Sequence, residues 1–356
     1  MNKPIISGIQ QMGIGIPHVY DAFAWYRKNL AMAIPVFDEA AEANLMLPYT
    51  DNSPQERHAI LAINPQGGGG LEIWQYTGRT PVGPDFTPQL GDLGLYITKF
   101  KAKDVLLTFN ELSKRDIKIL GTVENDPSGQ PHFFLEDPYG NILQIVQGQD
   151  WFHQTNDLTG GVYGATIGVS DIEKARVVYS DILGYDEVVY DETGVFEDLI
   201  MLPGKENKVR RVLLRHSQKR RGSFSKMLGD SEIELIQSID RPGRKIYENR
   251  LWGDLGFIHL CFDINGMAEL RDLCAQKGHP FTVDSAADRD TFDMGEAAGN
   301  FSYIEDPDGT LIEFVETHKI PILKKLNWYL DLRKRNPEKP LPHWMLRTLA
   351  LNRVKD

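Results

Sequence analysis

Residues 11–39 read QMGIGIPHVYDAFAWYRKNLAMAIPVFDE, and residues 164–192 read GATIGVSDIEKARVVYSDILGYDEVVYDE. Aligned at one offset without gaps, the two segments share Ile14 with Ile167, Gly15 with Gly168, Ala22 with Ala175, Tyr26 with Tyr179 and Leu30 with Leu183. They also share Asp38 with Asp191 and Glu39 with Glu192. Agreement of that kind marks an internal repeat, and a repeat constrains the fold more than any local propensity. In each copy an apolar run (12–16 or 165–169) meets a polar helix start. A period of about 3.6 residues then carries Tyr26 or Tyr179 inward. Each copy therefore reads as strand, helix, strand.

A second pair of copies lies elsewhere. Residues 132–141, HFFLEDPYGN, match residues 301–310, FSYIEDPDGT, where Asp-Pro-x-Gly supplies a turn between two strands. The strands predicted are 133–136 with 142–146, and 302–305 with 311–315. Each hairpin follows a strand and a helix, at 103–115 and 267–277. The chain thus divides into four modules, about 8–80, 90–150, 160–240 and 252–318, with one resembling three and two resembling four.

One such unit is too small to be stable alone, and its curved sheet needs a partner to close its open side. The expected fold is α+β: four βαβββ modules paired into two half-barrels, with domains at 1–150 and 151–318. A basic amphipathic helical extension is expected over 319–356. Residues 80–89, with Pro81, Gly83, Pro84 and Pro88, and the polar stretch 147–160 read as joints.

Composition narrows the functional classes. The chain has 356 residues, 41% hydrophobic and 25% charged, which is ordinary globular material for about two domains. Its net charge of -11 argues against a nucleic-acid partner. The two cysteines, Cys261 and Cys274, fit neither a disulfide framework nor a zinc-finger pair, and read as buried thiols in a reducing compartment. The first ten residues lack a basic segment followed by an apolar one, and no apolar run is long enough for a membrane span. A cytoplasmic protein is expected.

The stretches GIPHVYDAFAWY (15–26), VSDIEKARVVY (169–179) and EDPDGTLIEFVE (305–316) resemble modules of the vicinal oxygen chelate superfamily, which holds glyoxalases, bleomycin resistance proteins and extradiol dioxygenases. The resemblance covers about 8–318. It implies two metal-ligand positions per module, one early in the first strand and one, usually glutamate, in the last. Carried over, module one offers Gln11 and Glu72, module two Ile97 (or Thr98) and Gln144, module three Gly164 and Glu234, and module four His259 and Glu313. Only module four keeps two strong ligands. If neighbouring modules pair, the site is His259, Glu313 and Glu234. If module one closes on module four, it is Gln11, Glu72, His259 and Glu313, a set similar to that of glyoxalases.

Plainer readings exist for each residue. A histidine on an apolar strand is more often core than ligand, and Glu313 and Glu234 alternate with apolar neighbours as solvent-facing strand residues do. Tyr303, ten residues before Glu313, is spaced like the tyrosine that assists deprotonation in ring-cleaving dioxygenases. Its counterpart Phe134 shows that an aromatic core residue also suits the position. The glycine run 67–70 lacks the lysine and helix start of a phosphate cradle and reads as a flexible hairpin loop. The basic run 205–226 reads as a solvated hairpin, or as a clamp for an anionic substrate tail. In the tail, Ile322, Leu323, Leu326, Tyr329, Leu330 and Leu332 stand at helical spacing. Such a helix would pack on the barrels or on the second subunit of a homodimer.

What the resemblance implies is an enzyme with a divalent ion (zinc, nickel, manganese or iron) that chelates two adjacent oxygens of a small-molecule substrate. A glutamate, foremost Glu313, would remove a proton beside a carbonyl, with Tyr303 assisting, and lyase, isomerase and epimerase outcomes share that step. The alternatives are an extradiol-type dioxygenase, which wants two histidines and a carboxylate where this chain offers one histidine, and a binding protein that kept the cup without catalysis.

Overall fold

The structure is a computed structural model that describes residues 3–286, 292–294, 297–323 and 328–355. Module one is β1 (Ile5–Gly15), α1 (Val19–Leu30), β2 (Ile34–Glu42), β3 (Glu56–Ile63) and β4 (Gly70–Tyr76). Module two repeats the order as β5 (Gly94–Ala102), α2 (Val105–Leu112), β6 (Lys118–Asn125), β7 (Pro131–Glu136) and β8 (Ile142–Gln147). Module three has β9 (Thr159–Gly168), α3 (Ile172–Arg176) running into a π-helical turn (Val177–Ile182), β10 (Glu187–Gly194) and β11 (Val209–Arg215). A short helix α4 (Ser225–Leu228) then precedes β12 (Glu232–Ser238). Module four has β13 (Gly256–Asn265), α5 (Met267–Gln276), two short strands β14 (Val283–Asp284) and β15 (Phe292–Met294), then β16 (Ala297–Glu305) and β17 (Leu311–Leu323).

The strands form two curled sheets whose membership does not follow the halves of the chain. One runs β14-β16-β17-β13-β1-β4-β3-β2 and joins modules four and one; the other runs β10-β11-β12-β9-β5-β8-β7-β6 and joins modules three and two. Each half-barrel therefore takes one module from 1–150 and one from 151–318, and of the two pairings open in the sequence it is module one that closes on module four. At both seams the first strands of two modules meet antiparallel, β1 on β13 and β9 on β5. Within each module the first strand lies parallel to the last.

The repeat tyrosines hold the two sheets to one another. Tyr26 donates to Asp137 Oδ2 (2.5 Å) and Tyr179 to Asp306 Oδ2 (3.0 Å), and each acceptor is the aspartate of an Asp-Pro-x-Gly turn in the other half-barrel. All four side chains are buried, so losing the donor leaves a buried carboxylate short of one partner. Tyr179→Phe is expected to cost about 1–2 kcal/mol of stability, read by denaturant unfolding; a change below about 0.3 kcal/mol would remove these bonds from the account.

The glycine run is no flexible loop. Residues 67–70 are buried where the sheets abut, with Gly161 N donating to Gly67 O (2.8 Å) and Gly69 N to Val162 O (2.8 Å). At Gly68 the backbone has φ +104, and an added Cβ would meet Gly161 carbonyl carbon at 2.9 Å. A side chain would push the half-barrels apart.

The tail also departs from expectation. β17 runs past the end of β13, and its free edge is taken by β18 (Trp328–Asp331), which pairs Ile320 with Leu330 and Pro321 with Tyr329. An unsatisfied strand edge next to the chain outcompetes helical spacing for those apolar residues. Leu326, Lys324 and Lys325 lie outside the described residues. A 3-10 turn follows at Leu332–Lys334, and α-helix enters only further on, as α6 (His343–Arg347) with another 3-10 turn at Thr348–Asn352. Both cysteines are free and buried. Among the described residues no helix is long and apolar enough to cross a membrane.

Candidate metal centre

The inner face of the first sheet is built here from alternate residues of five adjacent strands, β16, β17, β13, β1 and β4. β1 lies between β4 and β13, and Gly13 stands opposite both Glu72 and His259. On β13 and β17, Cys261 faces Glu313, and Tyr303 on β16 faces Glu313 from the other side. The strand period of two then puts Gln11, Glu72, His259, Tyr303 and Glu313 on one concave face. His259 Nε2 lies 3.0 Å from Glu313 Oε2 and 3.3 Å from Glu72 Oε2, and Gln11 Nε2 donates to Glu72 Oε2 at 3.0 Å. Ligand atoms of Glu72, His259 and Glu313 all lie within 4.8 Å of one another.

His259 is fully buried; its Nε2 sits at ion-pair distance from both carboxylates without a well-aligned hydrogen bond to either, and its Nδ1 has no hydrogen-bond partner. Burial works against a charged imidazole there, but the carboxylates of Glu313 and Glu72 outweigh it and raise the His259 pKa to about 10. A cluster this rich in carboxylate and this poor in internal hydrogen bonds fits a cation at its centre, and imidazole with two carboxylates suits a borderline or hard divalent ion.

Space for the imidazole comes from a missing side chain. A Cβ on Gly13 would meet His259 Cε1 at 2.4 Å and Nε2 at 2.6 Å. Gly13→Ala is expected to displace the ring and weaken divalent-metal binding by about 10-fold or more, at the scale of perturbing a group that orients a ligand. Calorimetric titration with zinc would read it; unchanged affinity would show that the imidazole is not where metal binds.

Aromatic rings close the site. The Trp252 ring is stacked 6.1 Å from that of His259 at 10°, and Tyr303 meets His259 edge-on at 5.6 Å. Burial first, then Glu313 and Glu72, pushes the Tyr303 phenol well above its ordinary range, so it keeps its proton. Cys261 Sγ contacts Gln10 Oε1 at 3.4 Å. Trp252 was not singled out in the sequence, because it lies in the connection before β13, outside any repeated motif.

The equivalent place in the second sheet is filled differently. Thr166 stands opposite Glu234 on β12 as Gly13 stands opposite Glu72, and it faces Ile97 where Gly13 faces His259. Gly164 takes the position of Gln11 and Gln144 that of Glu313. Glu234 is fully engaged, accepting from Arg211 (2.8 Å), Tyr190 (2.8 Å), Lys99 (3.1 Å) and Thr166 (3.0 Å). Burial opposes its charge, but Lys99 and Arg211 hold its pKa far below the usual carboxylate range. Lys99 also pairs with Glu232 (3.1 Å), and Arg211 with Asp198 (2.8 Å). Two buried side-chain cations thus occupy the second centre, and Glu234, one of the sequence-derived ligand candidates, is on a different sheet from His259.

The basic run 205–226 contributes to this network and not to the first site. Arg210 pairs with Asp191 and Glu173, Arg215 with Glu232, and Arg221 with Glu338. It is not a merely solvated hairpin, since Arg211 is wholly buried, and none of its cations lines the cavity beside Glu72 and Glu313.

Two concave half-barrels built from paired βαβββ modules make up the glyoxalase fold. Residues 162–314 match the model of the Glyoxalase/Bleomycin resistance protein/Dioxygenase superfamily. No curated protein matches the chain. Among solved structures, a proposed dioxygenase from Bacillus subtilis subsp. subtilis str. 168 is 16% identical with a TM-score of 0.58, covering 88% of this chain and 86% of its own. Glyoxalase I from Zea mays is 11% identical with a TM-score of 0.52, covering 88% and 92%. At these identities the likeness is one of fold.

Proposed function

We propose that the chain is a divalent-metal-dependent enzyme of glyoxalase type, a lyase, isomerase or epimerase whose site is Gln11, Glu72, His259 and Glu313. The observation that carries this reading is the convergence of one imidazole and two carboxylates, His259, Glu72 and Glu313, with their ligand atoms all within 4.8 Å of one another. A divalent ion bound there would act as a Lewis acid toward two adjacent substrate oxygens and offset negative charge developing on them.

The protein's own groups account for the rest. Glu313 or Glu72 accepts a proton from the carbon beside the substrate carbonyl, and can return it to the neighbouring carbon or oxygen. Tyr303, kept neutral, donates a hydrogen bond toward the developing oxyanion. Trp252 and Tyr303 exclude water from one side, which strengthens each electrostatic contact. A single histidine with two carboxylates, and Gln11 where a second histidine would stand, disfavours the ring-cleaving alternative.

Plasma mass spectrometry of the purified chain after equilibration with zinc, nickel, manganese or iron(II) tests the metal. Incubation of the loaded protein with α-hydroxy ketones in heavy water, followed by NMR, tests proton abstraction. Near one ion per chain, and deuterium at the carbon beside the carbonyl, are expected. A chain that refuses all four ions would point to a binding protein.

A further inference from the structure

The cluster opens into a cavity of about 1160 Å³, above the usual range for small-molecule sites and far larger than two oxygens and their carbons need. Its floor holds the buried polar groups described above. The rest of its lining is largely apolar and includes the C-terminal segment, where Trp344, Met345, Leu349 and Leu351 line the same cavity as Phe37 and Met46. Trp344 is 65% exposed and Leu351 85% exposed, although both line this one cavity. Exposed large apolar side chains that share a concave wall mark a binding surface.

The segment is fixed at both ends and does not trail from the domain. Leu341 N donates to Ser223 O (2.8 Å), and Leu341 and Leu346 are buried against Phe224 and Met227. Beyond the 3-10 turn, Arg353 pairs with Asp157 (2.7 Å) and Val354 N donates to Ala33 O (2.9 Å). Between these anchors the chain straddles the edge of the first half-barrel and holds Trp344 at the opening.

Charge on the wall excludes one kind of occupant. Among the described lining residues Arg57 is the one cation, and its Nη2 is paired with Glu39 at 3.0 Å. Glu39, Glu42 and Asp284 line the same wall. Against the described residues a carboxylated or phosphorylated tail would meet net negative charge, with no uncommitted cation among them to receive it.

We infer that the substrate has two parts: a vicinal-oxygen head at the His259 cluster, and a bulky, uncharged aryl or branched-alkyl body held against the C-terminal segment, with Trp344 as the residue that selects for it. The head rests on the proposed function; the body rests on the wall. It follows that discrimination among substrates lies in residues outside the repeated modules.

Two probes separate these. Acetohydroxamate, benzohydroxamate and 2-naphthohydroxamate present the same pair of oxygens on bodies of growing size, and calorimetry with the zinc-loaded full chain reads their affinities. N-phenyl-1-naphthylamine, a neutral apolar fluorophore without chelating oxygens, reads the wall in the metal-free chain. The naphthyl compound is expected to bind about 30-fold or more tighter than the acetyl one, from the added apolar burial. Trp344→Ala should cut that advantage about 10-fold and weaken the fluorophore similarly, leave acetohydroxamate unchanged, and be largely rescued by Trp344→Phe. Equal affinity across the series with metal bound would overturn the inference while the metal site stands. A chain that binds no metal but holds the fluorophore in a Trp344-dependent manner would support the apolar wall and defeat the metal reading. Fluorophore binding indifferent to Trp344 would sink the role given to that residue.

Discussion

Purified His259→Ala protein is expected to bind divalent metal at least ~100-fold more weakly than the native chain, since removing a ligand should cost no less than disturbing the groups that orient one. His259 is the sole nitrogen donor of the cluster, approaching Glu313 at 3.0 Å and Glu72 at 3.3 Å. Without it two carboxylates remain, beside a cavity left by the ring. Glu72→Ala should lower metal content comparably. Glu234→Ala should not, because Glu234 lies in the other half-barrel under Lys99 and Arg211. Metal per chain by plasma mass spectrometry, with circular dichroism to confirm folding, reads all three. Full metal content in folded His259→Ala protein would dismiss the site; loss in Glu234→Ala but not in Glu72→Ala would dismiss the module pairing.

The second large effect is on stability. Glu234→Gln removes the carboxylate shared by Lys99 and Arg211, both buried. Removing one partner of a buried ion pair leaves charge without compensation and typically costs about 3–5 kcal/mol. Here the lower end, about 3 kcal/mol, is expected, because Lys99 keeps Glu232 and Arg211 keeps Asp198. The sign with pH follows from the depressed pKa of Glu234. The native advantage is complete at neutral pH and begins to fade as pH falls below about 4.5, the ordinary glutamate value, toward the lower folded value. Denaturant unfolding of native and Glu234→Gln protein should therefore differ most at pH 7 and converge in acid. A difference under about 1 kcal/mol at pH 7, or one that grows in acid, would show that the network does not act as a structural substitute for a bound cation.

The comparison of the two centres shows how far residue type carries. Glu72 and Glu234 occupy equivalent strands at equivalent registers, and both were plausible ligands in the sequence. Their fates differ because of Arg211 and Lys99, which no repeat motif flags. Lys99 stands opposite Gly164, and Arg211 sits on the strand beside Glu234. The basic composition of 205–226 was visible, but its destination was not: charge that looked solvated or substrate-facing turned inward to neutralise two buried glutamates.

The module repeat, the turn chemistry of Asp137 and Asp306, the helices near α1, α2 and α5, and the candidate residues Gln11, Glu72, His259, Tyr303 and Glu313 were all legible in the linear chain. Local periodicity and spacing give the repeat, the turns and the helices, and the resemblance to vicinal oxygen chelate modules singles out the candidate residues. Which modules close on each other, which glutamate joins His259, what the glycine run separates, whether residues 320–323 and 328–330 form helix or strand, and where Trp252 and Trp344 stand were decided only in the tertiary structure. Each depends on groups distant along the chain: the free edge of β17, the bare backbone of Gly161 and the cations around Glu234. A sequence pattern fixes which face a side chain presents, and only the packed fold fixes what that face meets.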